Sequence, residues 1–236
     1  MKYISLPTPH AERRLSFYLA MEEYVARHIH EPDSFFLWQV APSVIFGRNQ
    51  QLEREVNVDY CRRNGIAMYR RKSGGGCVYA DWGNLMLSFV TCEENSQLAF
   101  HHFLNMVILV LRKLGIEAVS TIHNDVLIDG LKVSGTACYR LPERNIVHGT
   151  LLYDTNMEHM LGAITPSVEK LQQKGIESVR QRITLLKNHT TVDIDYLKNF
   201  IRTTLCTTEH PLTMADVAVI EAMEQEYLST AFIERM

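Results

Sequence analysis

Hydrophobic and polar positions along the chain alternate with two different periods. Between residues 11 and 29 (AERRLSFYLAMEEYVARHI), Leu15, Tyr18, Leu19, Met21, Glu22 and Val25 fall at mostly helical spacing, which predicts an amphipathic helix. FFLWQV and SVIFG read as two buried strands, with Ala41, Pro42 and Ser43 turning between them. Asn57 is placed to cap a short helix, VDYCRRN, which Gly65 stops. IAMYR and NLMLSFVT are further strands, and 96–115 forms the longest helix, apolar on most sides and ended by Gly115. DVLIDGLKVSG predicts a hairpin, because Asp129-Gly130 supplies the positive φ angles of a tight two-residue turn. IVHGTLLYD is one more strand. Helices are predicted for Pro166 to Gln173, Asp193 to Leu205, and Thr213 to about Ser229. Strands before residue 154 and helices after it indicate an α+β layered fold.

The chain has 236 residues, 46% hydrophobic and 22% charged, enough for one domain with a substantial core. With a formal net charge of −3, bulk electrostatics demands neither a nucleic-acid nor a membrane partner. No apolar run reaches the ~18 residues of a membrane span, and the N-terminus lacks the pattern of a secretory signal. Five scattered cysteines without a CxxC pair read as reduced thiols of a cytoplasmic protein.

Candidate chemistry narrows by elimination. GxxxxGK[ST], GxGxxG, HExxH and GxSxG are all missing, and the pairs His28/His30 and His101/His102 have no metal-ligand company. A dispersed polar set remains: Arg70, Arg71 and Lys72 before the run Gly74, Gly75, Gly76; Asn84 after it; then Asn124, Asp125, Lys132 and His148. Glycines at 74–76 and 135 let main-chain N–H groups approach an anion, and Arg71 and Lys132 add full charges. Lys132 lies in an otherwise apolar hairpin, so its ammonium either reaches solvent or meets an anion.

RRKSGGGCVYADWGNLMLSF, NDVLIDGLKVSGTA, HGTLLYD and KGIESVRQRITLL occur in that order, preceded by VIFGRNQQLEREVN. Together they resemble the lipoate–protein ligase A family of the biotin and lipoate ligase superfamily, over most of the chain. The resemblance implies a catalytic domain over residues 1–187, with 188–236 a C-terminal helical segment of the same domain. Its fold would be α+β, with a mixed, largely antiparallel sheet and packed helices. It further implies activation of lipoate, or octanoate, by ATP as an acyl-adenylate, with transfer to a lysine of a lipoyl domain. The acceptor would belong to a 2-oxoacid dehydrogenase E2 subunit or the glycine cleavage H protein. In this reading Lys132 is catalytic and sits between the carboxylate and the α-phosphate. Arg71, Gly76, Cys77, Val78, Tyr79 and Lys132 hold the nucleotide. Arg70, Ser73, Gly74, Gly75, Asn84, Asn124, Asp125, Gly135, Thr136, Ala137, His148 and Gly149 face substrate, and Asp125 offers an oxygen to Mg²⁺. The protein would act as a cytoplasmic monomer.

Two departures stand out. Ala80 occupies the place before Asp81 where the family often has histidine. The C-terminal accessory domain of many ligases has no counterpart here, which implies a separate chain supplying it, an enzyme that works without it, or one impaired half-reaction. An alternative is ATP-independent transfer from carrier to protein through a cysteine thioester, at Cys138 or Cys77.

Overall fold

NLMLSFVT forms a strand in which every residue is buried, since helices cover both faces of the sheet it sits in. The computed structural model describes residues 1–164 and 182–234. In chain order the strands are β1 (Lys2–Ser5), β2 (Asp33–Trp38), β3 (Ser43–Phe46), β4 (Ala67–Arg70), β5 (Val78–Ala80), β6 (Asn84–Thr91), β7 (Val119–Ser120), β8 (Asp125–Ile128), β9 (Leu131–Arg140), β10 (Asn145–Leu152) and β11 (Thr208–Pro211). The helices used below are α1 (Leu15–His28), α2 (Leu52–Glu55), α3 (Val58–Arg63), α4 (Ser96–Lys113), α5 (Met157–Ala163), α6 (Ile194–Leu205), α7 (Met214–Leu228) and α8 (Thr230–Ile233).

The described strands make an eight-stranded sheet, β11-β1-β2-β6-β10-β9-β8-β7, and a three-stranded one, β4-β3-β5. From β2 to β7 every pairing is antiparallel, while β1 pairs in parallel with both β2 and β11. The mixed, largely antiparallel sheet is therefore as expected.

Period-two alternation decides what each face carries. Leu85, Leu87 and Phe89 of β6 join Phe35 and Val147 in a core with Phe103, Leu104 and Leu111 of α4 and Leu197 and Ile201 of α6. Met86 and Val90 face the other way and pack with Phe36, Trp38 and the apolar residues of α1 and α7. Each fully buried side chain of this kind contributes roughly 1.5–3 kcal/mol. A third cluster joins Val44, Phe46 and Tyr79 of the small sheet to Cys61 of α3 and Met160 of α5.

Local signals behave as predicted. Asn57 caps α3 by accepting from the Tyr60 N–H, Gly65 and Gly115 take positive φ, and Asp129 (φ 51°) and Gly130 (φ 78°) turn the β8–β9 hairpin. Thr213 starts α7 with a reciprocal capping box to Asp216. The structure adds β1, β7, β11 and the short helices α2, α5 and α8; β11 places a strand inside the C-terminal segment expected to be helical. β1 and β11 are short and come from opposite ends of the chain, so no local period marks them. The helix predicted over Pro166–Gln173 lies outside the described residues. No helix among the described residues is long and apolar enough to cross a membrane.

Candidate functional site

A cavity of about 530 Å³ opens between the large sheet and the small one. Leu19, Trp38, Ile45 and Met86 give it an apolar end; Arg71, Gly75, Gly76, Cys77 and Val78 form one wall; Asp125, Lys132, Gly135, Ala137, His148 and Gly149 come from the hairpin and β10. Glycine run and lysine hairpin, separated in sequence, thus face one space.

Lys132 is held at both ends. Its N–H donates to the Arg182 carbonyl (2.8 Å) and its own carbonyl accepts from the Thr184 N–H (2.9 Å). The ITLL stretch after Arg182 therefore serves the site through its backbone. The ammonium lies 2.7 Å from Asp125 Oδ1, with the lysine side chain 39% exposed toward the cavity. Both outcomes open for this lysine are met: the ammonium pairs with the Asp125 carboxylate and stays partly exposed. Gly135 makes the room: a Cβ there would stand 2.9 Å from Lys132 Cε and Nζ. The space at position 135 accommodates the lysine arm in addition to leaving backbone accessible.

Arg71 is buried, and its guanidinium spends its donors on the glycine loop. Nη2 donates to the Gly74 and Gly76 carbonyls (both 2.7 Å), Nη1 to the Ile45 carbonyl (3.1 Å), and Nε to Ser73 Oγ (2.9 Å). Burial pulls its pKa down to about 10, still far enough above neutrality to keep the charge. Two backbone bonds, Arg71 N–H to the Phe46 carbonyl and Arg48 N–H to the Ser73 carbonyl (3.0 Å each), fasten the loop to the end of β3. Gly75 takes φ +91°, and a Cβ on Gly47 would come within 2.2 Å of the Gly75 carbonyl oxygen. By contrast, a Cβ at Gly74 or Gly76 would meet no atom within 4 Å.

Several residues expected at the site serve the scaffold. Arg70 is buried away from the cavity, lies over the Phe46 ring, and donates to the carbonyls of Arg48 (2.9 Å), Gln50 (2.7 Å) and Ile233 (3.0 Å). Asn84 is buried; it donates to the Tyr79 carbonyl and accepts from the Thr155 hydroxyl. Asn124 occupies the turn before β8 at φ 60°. Ser73 and Tyr79 are buried behind the lining and Gly74 is exposed outside it, whereas Thr136 contributes to it. His148 reaches the cavity and bridges Ser73 and Glu22. Glu22 was not anticipated as part of the site; neither were the lining residues Trp38, Gln50, Glu55 and His123.

Neither candidate cysteine offers a thiolate. Cys77 lines the cavity, but burial pushes its thiol up to about 12; Cys138 is raised to about 11, again chiefly by burial. Cys138 pairs with Val147 on β10 and packs into the core beneath α4, on the face away from the cavity. At neutral pH both stay protonated and poorly nucleophilic. If the adenylate route implied by the resemblance holds, Cys138→Ser keeps most ATP-dependent acyl transfer in a steady-state assay. Loss of transfer in that variant, with carrier-to-carrier transfer intact in Lys132→Ala, would reinstate the thioester route.

Comparison with known proteins gives a consistent picture. The family profile of the lipoyl protein ligase A/B catalytic domain matches residues 15–206. The lipoate–protein ligase LplJ of Bacillus subtilis is 40% identical over 169 residues, which cover 70% of this chain and 50% of the relative. One chain of a bi-partite lipoate protein ligase from Thermoplasma acidophilum, described with its E2 lipoyl domain, superposes with a TM-score of 0.87 at 25% identity, covering 99% of this chain and 95% of that one. A lipoate–protein ligase A structure bound with ATP shares the fold, with a TM-score of 0.83 at 23% identity over 99% of this chain and 98% of that chain. The chain thus spans about half the length of the B. subtilis relative and nearly all of one chain of the bi-partite enzyme.

Proposed function

The chain belongs to the lipoyl protein ligase A/B catalytic domain family, and from that premise we propose that it activates lipoate, or octanoate, with ATP and passes the acyl group to a lysine of a lipoyl domain. The observation that carries this reading is Lys132 standing 2.7 Å from Asp125 in a cavity with a glycine-loop wall and an apolar end.

In the first step a carboxylate oxygen of the acid attacks the α-phosphorus, the bond from that phosphorus to the β-phosphate oxygen breaks, and pyrophosphate leaves. In the second the acceptor lysine amine attacks the acyl carbonyl and AMP leaves with the anhydride oxygen. Neither step needs a covalent protein nucleophile; both need fixed donors and cations around spread negative charge. Lys132 would hold the carboxylate against the α-phosphate, leaving Asp125 as it moves. The loop from Gly75 to Val78, shaped by Arg71, would lie along the nucleotide. Arg71 then positions the loop in place of gripping phosphate itself. Leu19, Trp38, Ile45 and Met86 would take the acyl chain and keep water from the anhydride.

Among the described residues no group of three His, Cys, Asp or Glu is placed to hold a metal. That donor set fits Mg²⁺ only as an ion arriving on the nucleotide phosphates, to which Asp125 would add one oxygen. When bound, the ion supplies charge neutralisation at the phosphates.

Residues 1–187 and the segment 188–236 are taken as one catalytic domain, a reading supported by β11 hydrogen-bonding to β1. The likeness to one chain of the bi-partite enzyme supports testing the protein together with a separate accessory chain. The acceptor is the lipoyl domain of a 2-oxoacid dehydrogenase E2 subunit or the glycine cleavage H protein. The protein acts in the cytoplasm as a monomer apart from that chain, with no membrane or nucleic-acid partner.

The test combines purified protein, ATP, Mg²⁺, lipoate and an apo lipoyl domain, with ATP omitted in parallel and the accessory chain added in a third arm. Mass spectrometry should find the acceptor heavier by one lipoyl group only where ATP is present. Pyrophosphate release without transfer, restored by the accessory chain, would assign the second step to the pair. Transfer without ATP would sink the proposal.

A further inference from the structure

Behind the cavity wall runs a chain of hydrogen bonds that the acyl-transfer chemistry leaves without a role. Trp38 Nε1–H donates to Ser88 Oγ (2.8 Å), and the Ser88 hydroxyl donates to Glu22 Oε1 (2.5 Å). Glu22 Oε2 lies 2.8 Å from His148 Nδ1, His148 Nε2 lies 2.8 Å from Ser73 Oγ, and Ser73 Oγ accepts from Arg71 Nε (2.9 Å). Glu22, Ser88 and Ser73 are all nearly inaccessible, at 3%, 0% and 2% exposure. Trp38, His148 and Arg71 line the cavity. The series therefore joins the apolar end to the glycine loop through buried links.

The donor directions follow from the chemistry of the groups. An arginine Nε only donates, so Ser73 Oγ must accept from Arg71. A glutamate carboxylate only accepts, so His148 Nδ1 must carry the proton that points at Glu22. In a neutral ring the lone pair then sits on Nε2, and the Ser73 hydroxyl donates to it. Every donor and acceptor in the series is matched. An imidazolium would instead donate from Nε2 to Ser73, leave the serine proton without its acceptor, and place a second cation against Arg71. Glu22 thus decides which imidazole nitrogen faces the glycine loop.

We propose that Glu22 is a positioning residue: by fixing His148 as its Nδ1–H tautomer it sets Ser73 to hold Arg71, and so couples the acyl end of the cavity to the nucleotide end. This rests on the ligase reading for its kinetic consequence but not for its spectroscopic one. Glu22→Gln keeps the shape but turns one acceptor oxygen into a donor. Trp38 Nε1–H already donates to Ser88, whose own proton needs an acceptor, so the amide oxygen stays toward Ser88 and the amide nitrogen faces His148 Nδ1, where the imidazole relieves the clash by moving its proton to Nε2. Ser73 loses its acceptor and Arg71 loses part of its orientation.

The experiment has two arms. In ¹⁵N-histidine-labelled protein at pH 7.5, with His148 assigned by a His148→Asn variant, imidazole ¹⁵N shifts should report a neutral ring protonated at Nδ1. Glu22→Gln should move the proton toward Nε2. In pyrophosphate release, Glu22→Gln and Ser73→Ala should each raise the ATP KM by about fivefold, the effect of one lost hydrogen bond. The double variant should be no worse than the worse single one, since both break the same series. A wild-type ring protonated at Nε2 or doubly protonated overturns the inference even if no variant folds. So does an ATP KM unchanged in Glu22→Gln, or multiplicative effects in the double variant. A wild-type protein that releases no pyrophosphate would sink the ligase reading, and the tautomer result alone would then decide this one.

Discussion

Lys132→Ala should lower lipoate-dependent pyrophosphate release by about 100- to 1000-fold, the usual loss when one preorganised contact to developing charge is removed. The fold should survive. The lysine side chain is 39% exposed and its ion pair with Asp125 is partly solvated, so its loss costs stability no more than about 1 kcal/mol. The strand stays pinned through the Lys132 backbone to Arg182 and Thr184, which the substitution does not touch. Lys132→Arg should rescue poorly, because a planar fork does not replace a compact ammonium between two oxygens. The space above Gly135 is also filled by a lysine arm. Transfer from chemically made lipoyl-adenylate should persist in part, since the charge problem of the first step has then been solved. Measuring pyrophosphate release and transfer separately, beside a thermal melt, checks all three statements. Wild-type pyrophosphate release by the alanine variant would remove Lys132 from its role.

Arg71→Ala should damage both stability and the first half-reaction. It strips donors from three carbonyls and a serine hydroxyl around a buried position. Leaving such acceptors unmet costs several kcal/mol when they are dry. Gly75 and Gly76 border the cavity, so water recovers part of the loss, and a net cost of about 3 kcal/mol is expected. For a chain of this size that lowers Tm by roughly 6–12 °C. The ATP KM should rise more than the lipoate KM, because the loop borders the nucleotide and the apolar end is built from other elements. Arg71→Lys should recover little, as a single ammonium cannot span the Ile45, Gly74 and Gly76 carbonyls at once. If Arg71→Ala melts with the wild type and keeps its ATP KM, the loop does not depend on this arginine.

The neighbouring arginines show how far sequence reasoning carries. Arg70 and Arg71 look equivalent in RRKSGGG. The last residue of β4 and the one after it point to different surroundings, so Arg70 grips the 47–50 turn and the Ile233 carbonyl while Arg71 grips the glycine loop. Gly47 reads as the last residue of the strand SVIFG, yet the Gly75 carbonyl fills the place of its Cβ. Glu22 falls on the apolar stripe of α1 at helical spacing. A carboxylate in such a place is a signal of a buried partner, but His148 and Ser88 lie on strands far along the chain.

By itself the sequence determined what depends on neighbours along the chain. Helical and strand periods set most of the elements, Asn57 caps its helix, Asp129-Gly130 turns its hairpin, and the ordered glycine and lysine motifs mark the family. These follow from backbone sterics and hydrogen bonds within a few residues, so a linear reading reaches them. Only the tertiary structure decided which motif residues face the cavity and which brace it. It also brought β11 beside β1 and joined Trp38, Glu22, His148, Ser73 and Arg71 into one series. Such pairings depend on which faces distant strands present, and a one-residue change of register would turn Trp38, Ser88 or His148 to the other face.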